Sequence, residues 1–205
     1  MRNRGFTIIE VMIVLVIIVV IMGAAIMFML RGQEMVRQET LIGMLEGKAL
    51  QVVERVTDDA RRTGVSQLIP PSPQGYEYRI EFLPVVELDE KGEAVYGAAP
   101  VVYQLNRANG EAAWSNGLDD NGNGLVDEFV LRRFSAEEMA AGGSGTVIVS
   151  GVKGHDPMLG PVNGFRCRLV PGTNRLRVAL TLQQRDRYGR LWERTHRSSV
   201  TLRND

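Results

Sequence analysis

A run of oxygen-bearing side chains at alternating positions lies near the middle of the chain. The alternation begins at Asp119, reaches a glycine at Gly124 and places Val130 at the twelfth position. The spacing matches the first nine positions of an EF-hand-type loop, and calcium takes about six to eight oxygen ligands. The sequence therefore predicts a structural calcium site, whose candidate ligands are Asp119, Asn121, Asn123, Leu125 through its carbonyl, Asp127 and Glu128.

This loop departs from an EF-hand in two respects. Val130 stands where a bidentate glutamate belongs, so Glu128, Asp120 or water must complete the coordination. The flanking sequence predicts no EF-hand helix, which favours the shorter, millimolar-affinity type of extracellular calcium loop. The alternative interpretation is an Asn-Gly-rich turn between two strands, with no metal.

A single carboxylate in an apolar segment is the second chemical candidate. Glu10 directly precedes residues 11–30, twenty residues without one charged side chain. A carboxylate near the centre of a bilayer costs about 2.5–3.5 kcal/mol, so such a group is expected to have a function and a partner.

The residues around Glu10 predict a membrane-spanning helix. Arg2 and Arg4 precede the apolar run and place the N-terminus in the cytoplasm. Residues 6–30 would form roughly 37 Å of helix at about 1.5 Å per residue, enough for an apolar core of about 30 Å. The run is too long for a secretory signal peptide, and a plain anchor does not explain Glu10.

The sequence Gly5-Phe6-Thr7-x-x-Glu10 before this run resembles the class III signal of type IV pilins and type II secretion pseudopilins. The resemblance implies that prepilin peptidase cuts between Gly5 and Phe6 and methylates the new amine of Phe6. It also implies that Glu10 pairs with the Phe6 amine of a neighbouring subunit and sets the axial register of a fibre. The implied partners are prepilin peptidase, an inner-membrane assembly platform, and other minor and major pilins or pseudopilins.

The same resemblance implies where the protein resides. It would cross the bacterial inner membrane once, hold its C-terminal domain in the periplasm, and then enter a pilus fibre at the cell surface. Residues 58–64 and 198–204 resemble PilW-type minor pilins and the related J-type minor pseudopilins. The apolar helix lacks proline and Cys167 is the sole cysteine, which also favours a minor subunit over a major pilin.

The implied function is priming of fibre assembly by a few subunits that then cap a type IV pilus. Three alternatives stay open. The chain could be a minor pseudopilin of a type II secretion system, a major or adhesive pilin, or a membrane-tethered calcium-dependent binding domain without a fibre.

The predicted fold is α+β, with a long N-terminal helix packed against a C-terminal antiparallel sheet. Apolar residues recur every three or four positions from Ile42 to Ala60, and Gly64 is predicted to stop the helix. The predicted parts are a leader (1–5), a transmembrane half-helix (6–30), an amphipathic half-helix (31–64) and a β-rich domain (65–205).

The β-rich domain is predicted to begin with a proline-rich loop at residues 65–75. Strands are expected from period-two alternation, and residues 111–115 are expected to pair with residues 101–105. The predicted strands are 76–83, 101–105, 111–115, 129–134, 146–149, 165–170, 175–184 and 191–202.

Charge and composition limit the functions further. Lys and Arg number 24, as do Asp and Glu, so loss of the leader with its two arginines would leave a net charge of −2. Ten arginines against three acidic residues follow position 163, and we interpret them as the solvated face of a sheet. An acidic neighbouring subunit is the first alternative; nucleic acid is not expected, because no aromatic residues interleave with these charges. No catalytic motif is evident, so no enzyme activity is expected.

Overall fold

The computed structural model describes residues 7–70, 73, 79–108, 119, 121–122, 124–125, 128–154 and 164–203. Within these residues one long helix precedes nine strands and one short helix. The elements are α1 (Ile8–Arg61), β1 (Thr63–Ile69), β2 (Arg79–Leu88), β3 (Ala94–Tyr96), β4 (Val101–Arg107), β5 (Phe129–Phe134), α2 (Ala136–Ala140), β6 (Thr146–Val152), β7 (Phe165–Leu169), β8 (Arg175–Arg185) and β9 (Leu191–Thr201).

The chain divides into two compact units, Met1–Gly43 and Met44–Asp205. The described part of the first unit is almost entirely α1. Its apolar side chains are exposed on every side of the helix, from Ile8 to Phe28 and Leu30. None of the described residues of this unit covers them.

The second unit begins with the remainder of α1, which buries one stripe of side chains. Leu45, Ala49, Val52, Val56 and Ala60 are buried at the predicted spacing of three or four residues, and Val53 lies beside them at 0% exposure. Full burial of a valine or leucine side chain contributes about 1.5–3 kcal/mol. The amphipathic prediction for this part of the helix is therefore confirmed.

The strands form one antiparallel sheet in the order β1-β2-β4-β5-β6-β8-β7, with β3 paired to β2 and β9 paired to β8. The sheet curls until its first strand meets the segment after its last strand. Gly64 and Arg203 form a parallel bridge there, the Val65 N–H donates to the Arg203 carbonyl at 3.2 Å, and the Arg203 N–H donates to the Thr63 carbonyl at 3.3 Å. The predicted α+β, pilin-like architecture is confirmed.

The C-terminal meander agrees most closely with the sequence prediction. β8 pairs with β9 from Arg175↔Thr201 to Arg185↔Leu191, and with β7 along its other edge. The alternating residues Leu176, Val178, Leu180 and Leu182 are buried, as predicted. Cys167 is also buried, in β7, which confirms it as an inward-facing strand residue.

Two predictions at the end of α1 are wrong. Residues 65–69 of the predicted loop at 65–75 belong to the strand Thr63–Ile69, because Leu68 packs into the core and the prolines begin only at Pro70. Gly64 does not stop the helix: α1 ends at Arg61, and Gly64 lies within β1. The three prolines that follow indicate a loop, although the residues before them alternate as in a strand.

Other strand predictions need adjustment. β4 pairs with β2 along one edge and with β5 along the other, so the expected pairing of residues 101–105 with residues 111–115 is wrong. Residues 111–115 themselves lie outside the described residues. The strand predicted at 76–83 is described from Arg79 and extends to Leu88. The sequence analysis missed β3 and α2, although Ser135 and Glu138 form a reciprocal capping box at the start of α2.

Candidate functional site

The first turn of α1 contains a reciprocal capping arrangement between two side chains. One Glu10 carboxylate oxygen accepts from the Thr7 backbone N–H at 2.8 Å and from the Thr7 hydroxyl at 2.9 Å. In return, the Glu10 backbone N–H donates to the Thr7 hydroxyl oxygen at 3.3 Å. This is a capping box, which satisfies two amides that a helix start otherwise leaves without partners.

The capping box fixes the direction of the carboxylate. Glu10 points back along the chain to the amide of Thr7, the second residue after the predicted cleavage bond. Gly5 and Phe6 themselves lie outside the described residues, so cleavage there, methylation of Phe6 and the pairing of Glu10 with a neighbouring amine stay predictions.

The segment after Glu10 is the only helix, among the described residues, that is long and apolar enough to cross a membrane. Its most apolar stretch is not buried within the protein. This exposure distinguishes it from the core helix of a soluble domain, and is consistent with a single-pass membrane anchor.

A short polar N-terminus followed by a long apolar helix is also found in a known family. Residues 1–26 match the family model for the prokaryotic N-terminal methylation motif. The methylation motif implies processing by a prepilin peptidase and association with other pilins. Together with the long α1 and the curled sheet, it is consistent with the type IV pilin-like superfamily. The comparisons with curated proteins and with solved structures gave no match.

The candidate calcium loop is described at some of its predicted ligands. Both carboxylate oxygens of Asp119 accept from loop amides, one from Gly122 at 2.7 Å and the other from Gly124 at 2.6 Å. Both glycines have positive φ, 73° and 88°, which lets the loop wrap around this carboxylate. Two described glycines of the loop therefore contact its first predicted ligand.

The loop also brings Asn121 towards Glu128. The Asn121 amide donates to a Glu128 carboxylate oxygen at 3.4 Å, and Glu128 is 6% exposed. Leu125 is buried nearby, while Asn123 and Asp127 lie outside the described residues. Within the described residues no group of three or more His, Cys, Asp or Glu side chains is placed to hold a metal ion.

An arginine packs against the same loop. A Cβ atom on Gly124 would lie 2.7 Å from the Arg185 side chain, so the glycine makes room for that chain. The Arg185 guanidinium donates to the Gly189 carbonyl at 2.6 Å. The loop therefore contacts the β8–β9 hairpin at Gly124, where the close approach of Arg185 and the positive φ both favour glycine.

The sequence analysis missed a polar network at the C-terminal end of α1. The Tyr103 hydroxyl and the Arg133 guanidinium both donate to one carboxylate oxygen of Asp59, at 2.6 Å and 2.9 Å. Burial, and then the hydrogen bond to Asp59 and its charge, raise the pKa of Tyr103. Desolvation opposes the charged form of Arg133, but Asp59 raises its pKa. The network joins the helix to β4 and β5.

The turn between β8 and β9 contradicts one sequence argument. Tyr188 is 58% exposed, and the guanidinium of Arg187 lies 4.6 Å from its ring centre. Arg190 lies 5.3 Å from the Tyr188 ring centre and 6.0 Å from that of Trp192. Aromatic residues therefore do interleave with the C-terminal arginines at this turn.

Asp186 holds that turn together. Its carboxylate accepts from the backbone amides of Tyr188 and Arg190, the Arg190 guanidinium and the Trp192 indole. Desolvation acts to raise the pKa of Asp186, but these hydrogen bonds outweigh it and lower the pKa to about 2. The alternation of arginine and aromatic residues in the sequence would have revealed this cluster.

Proposed function

We propose that this chain is a minor pilin-like subunit that helps to prime and then caps a type IV pilus after prepilin peptidase cleavage. The observation that carries the proposal is the methylation motif in front of a helix with exposed apolar side chains. Such a surface requires apolar surroundings that the first unit does not supply. A membrane provides them before assembly, and packed helices of other subunits provide them in a fibre.

The capping box supports the proposed role of Glu10. Cleavage after Gly5 would create an amine on Phe6, one residue before the Thr7 amide that Glu10 already contacts. A carboxylate in apolar surroundings is stabilised by a nearby ammonium group, and a lone carboxylate there is costly. In an assembled fibre, pairing of Glu10 with such an amine would fix the position of one subunit along the next.

The proposal is tested in the producing bacterium by three variants. Gly5→Val should block cleavage, and Glu10→Val should permit cleavage but abolish entry into fibres. Glu39→Gln, an exposed change on the same helix, is the matched control and should behave as wild type. Normal fibre number in cells that carry Glu10→Val would contradict the assembly role.

The priming and capping role requires a separate measurement. Quantitative mass spectrometry of sheared fibres should find a few copies of the chain per fibre, and labelled antibodies should mark fibre ends. Deletion should reduce the number of fibres without shortening those that form. Abundance along the whole shaft would instead indicate a major or adhesive pilin. Loss of protein secretion with normal piliation would indicate a type II secretion pseudopilin.

Calcium is proposed as a structural ligand of the loop at residues 119–128. Asp119, Asn121, Asn123, the Leu125 carbonyl, Asp127 and Glu128 would supply oxygen ligands. The two amide contacts of Asp119 and the approach of Asn121 to Glu128 support the proposal. Bound calcium would hold this loop rigid, and the proposed role of the whole protein is structural and not enzymatic.

Calcium binding is measured by thermal unfolding and isothermal titration calorimetry of the purified chain. Calcium chloride in the millimolar range expected for extracellular loops should raise the unfolding temperature more than magnesium chloride does. Asp127→Asn should weaken this effect, whereas Asp58→Asn, an exposed acidic residue on α1, should not. An unchanged unfolding temperature of the wild type in about 10 mM calcium would exclude this site.

A further inference from the structure

Five arginines lie on one face of the three C-terminal strands. The strand registers align Arg168 with Arg177 and Ser199, and Arg166 with Ala179 and Arg197. Arg175 lies on the same side of β8, opposite Thr201. The other side of these strands carries the buried core residues. We call this outward surface the arginine face: Arg166, Arg168, Arg175, Arg177 and Arg197.

The arginine face lacks compensating charge within the described part of the chain. None of its five members forms an ion pair there, and only Arg175 has a side-chain partner, the Ser199 hydroxyl, at 2.7 Å. Arg168 and Arg177 are direct cross-strand neighbours, an arrangement of like charges that destabilises a sheet. An acidic partner would remove this repulsion.

The same unit also contains a negatively charged segment, opposite in charge to the arginine face. The β2–β3 hairpin carries Glu87, Asp89, Glu90 and Glu93 against one base, Lys91, and all five are exposed. Asp89 organises the turn by accepting from the backbone amides of Lys91 and Glu93. The remaining three glutamates are available for contacts at the surface. We call residues 87–93 the acidic hairpin.

The acidic hairpin extends beyond the strands that flank β2. The register of β2 with β1 ends at Pro84, and its register with β4 ends at Phe82. Beyond those points β2 pairs with β3, and the side chains of Val86 and Leu88 are 69% and 57% exposed. An exposed β-ribbon with acidic and apolar side chains has the shape and chemistry of a docking element.

We propose that the acidic hairpin of one copy docks on the arginine face of a second copy. The contact joins two different surfaces, so it is heterologous, and it would link the few copies proposed at a fibre end head to tail. Opposite charges steer the encounter, and Val86 and Leu88 add apolar contact. The inference rests on the proposed function and deepens it, because it names one contact through which a fibre-forming subunit binds its neighbour.

A protein partner fits this face better than a nucleic acid. The described residues between the arginines are small: Ala179, Ser199 and Thr201. No aromatic side chain is among the described outward residues of the face, so it offers no platform on which bases can stack. The exposed Tyr188 belongs to the turn between β8 and β9, outside this face.

The test uses two variants of the full mature chain in detergent micelles, each of which replaces charged side chains with glutamine. The face variant combines Arg168→Gln and Arg177→Gln, and the hairpin variant combines Glu87→Gln, Glu90→Gln and Glu93→Gln. The control combines Arg37→Gln and Arg55→Gln, which removes two exposed arginines from α1. Sedimentation velocity measures association at about 0.01 M ionic strength, where the Debye length is about 30 Å, and near 1 M, where it is about 3 Å.

Wild type and control should form concentration-dependent oligomers at low salt that dissociate at high salt. Each variant alone should associate more weakly, on the order of tenfold or more. An equimolar mixture of the two variants should form 1:1 dimers that grow no further, because each dimer contains only one intact hairpin–face pair. Formation of this dimer would distinguish a specific hairpin–face contact from a general effect of net charge.

Three results would overturn the inference: a monomeric wild type at low salt, a face variant that associates like wild type, or a mixture that stays monomeric. Arginine-dependent binding of duplex DNA by a monomeric wild type would assign the face to nucleic acid instead. Each of these results concerns purified protein. They would leave the cleavage and fibre-entry tests of the proposed function unaffected.

Discussion

The first part of α1, up to Leu30, exposes apolar side chains on every side, whereas the part from Met44 to Arg61 buries one stripe and exposes charged residues elsewhere. Hydrogen bonding within the helix satisfies the backbone in the same way along both parts. The difference lies in what covers the side chains. The second part is covered by its own chain, while the first depends on apolar surroundings that lie outside it.

The comparison separates two kinds of stability. Core packing in Met44–Asp205 contributes to the unfolding free energy of a domain. The exposed apolar surface of the first part contributes to the partition of the chain between water, lipid and neighbouring helices. A substitution in one part should therefore change one of these quantities and leave the other unchanged.

The largest effect is expected for Val53→Asp in the second part. Val53 is 0% exposed, and an uncompensated buried charge costs about 3–5 kcal/mol. Chemical denaturation followed by circular dichroism should show that loss, with membrane retention of the chain intact. Val53→Ala should be milder. An unfolding free energy equal to wild type in Val53→Asp would mean that α1 is not part of the core.

The next largest effect is expected for Val16→Arg in the first part. Val16 is 63% exposed within the protein, and arginine near a bilayer centre costs about 2.5–3.5 kcal/mol. Membrane fractionation should find less chain in the membrane, while the thermal unfolding of the second unit stays unchanged. Val16→Leu serves as the control. A lowered unfolding temperature in Val16→Arg would contradict the separation of the two parts.

A smaller effect is expected for Asp59→Ala at the end of the second part. It removes the acceptor of the Tyr103 hydroxyl and of Arg133, and an unsatisfied buried donor costs about 1–3 kcal/mol. Asp58→Ala breaks only the exposed ion pair with Arg61 and should cost about 0–1 kcal/mol. Urea denaturation measures both. Equal losses would show that the network adds nothing to the surface pair.

The smallest effect is expected for Thr7→Val at the start of the first part. Loss of the capping hydroxyl should destabilise the first turn by about 0.5–2 kcal/mol, because Glu10 loses its hydroxyl partner and its own amide loses an acceptor. Amide hydrogen exchange in detergent micelles should accelerate at residues 8–10. Thr40→Val, which alters a hydroxyl bonded to the Val36 carbonyl, should leave that turn unchanged.

The buried faces of single helices and strands could be predicted from the spacing of apolar residues in the sequence. The spacing of Leu45, Ala49, Val56 and Ala60 gave the buried stripe, and alternation through Leu176 to Leu182 gave the inward face of β8. Both patterns follow from the period of a regular element. The strand Thr63–Ile69 was missed because three following prolines outweighed a short alternation with only one fully buried apolar side chain, Leu68.

Contacts between distant residues could not be predicted in this way. Asp59 meets Tyr103 and Arg133 only because the helix crosses β4 and β5, and no local pattern encodes that crossing. The capping box is different, since Thr7-x-x-Glu10 is itself a recognisable signal for a helix start. The same glutamate therefore serves a local capping role in addition to its proposed pairing with another subunit.

Only Arg62 separates the end of α1 from β1, and this short connection has a mechanical consequence. A pulling force along the helix is transmitted to the sheet at Thr63, because no flexible linker separates the two elements. β1 is held by β2 on one edge and by Arg203 on the other, so two sets of hydrogen bonds share the load. The strand that receives the pull is thus braced from both sides, which suits a protein drawn through its N-terminal helix.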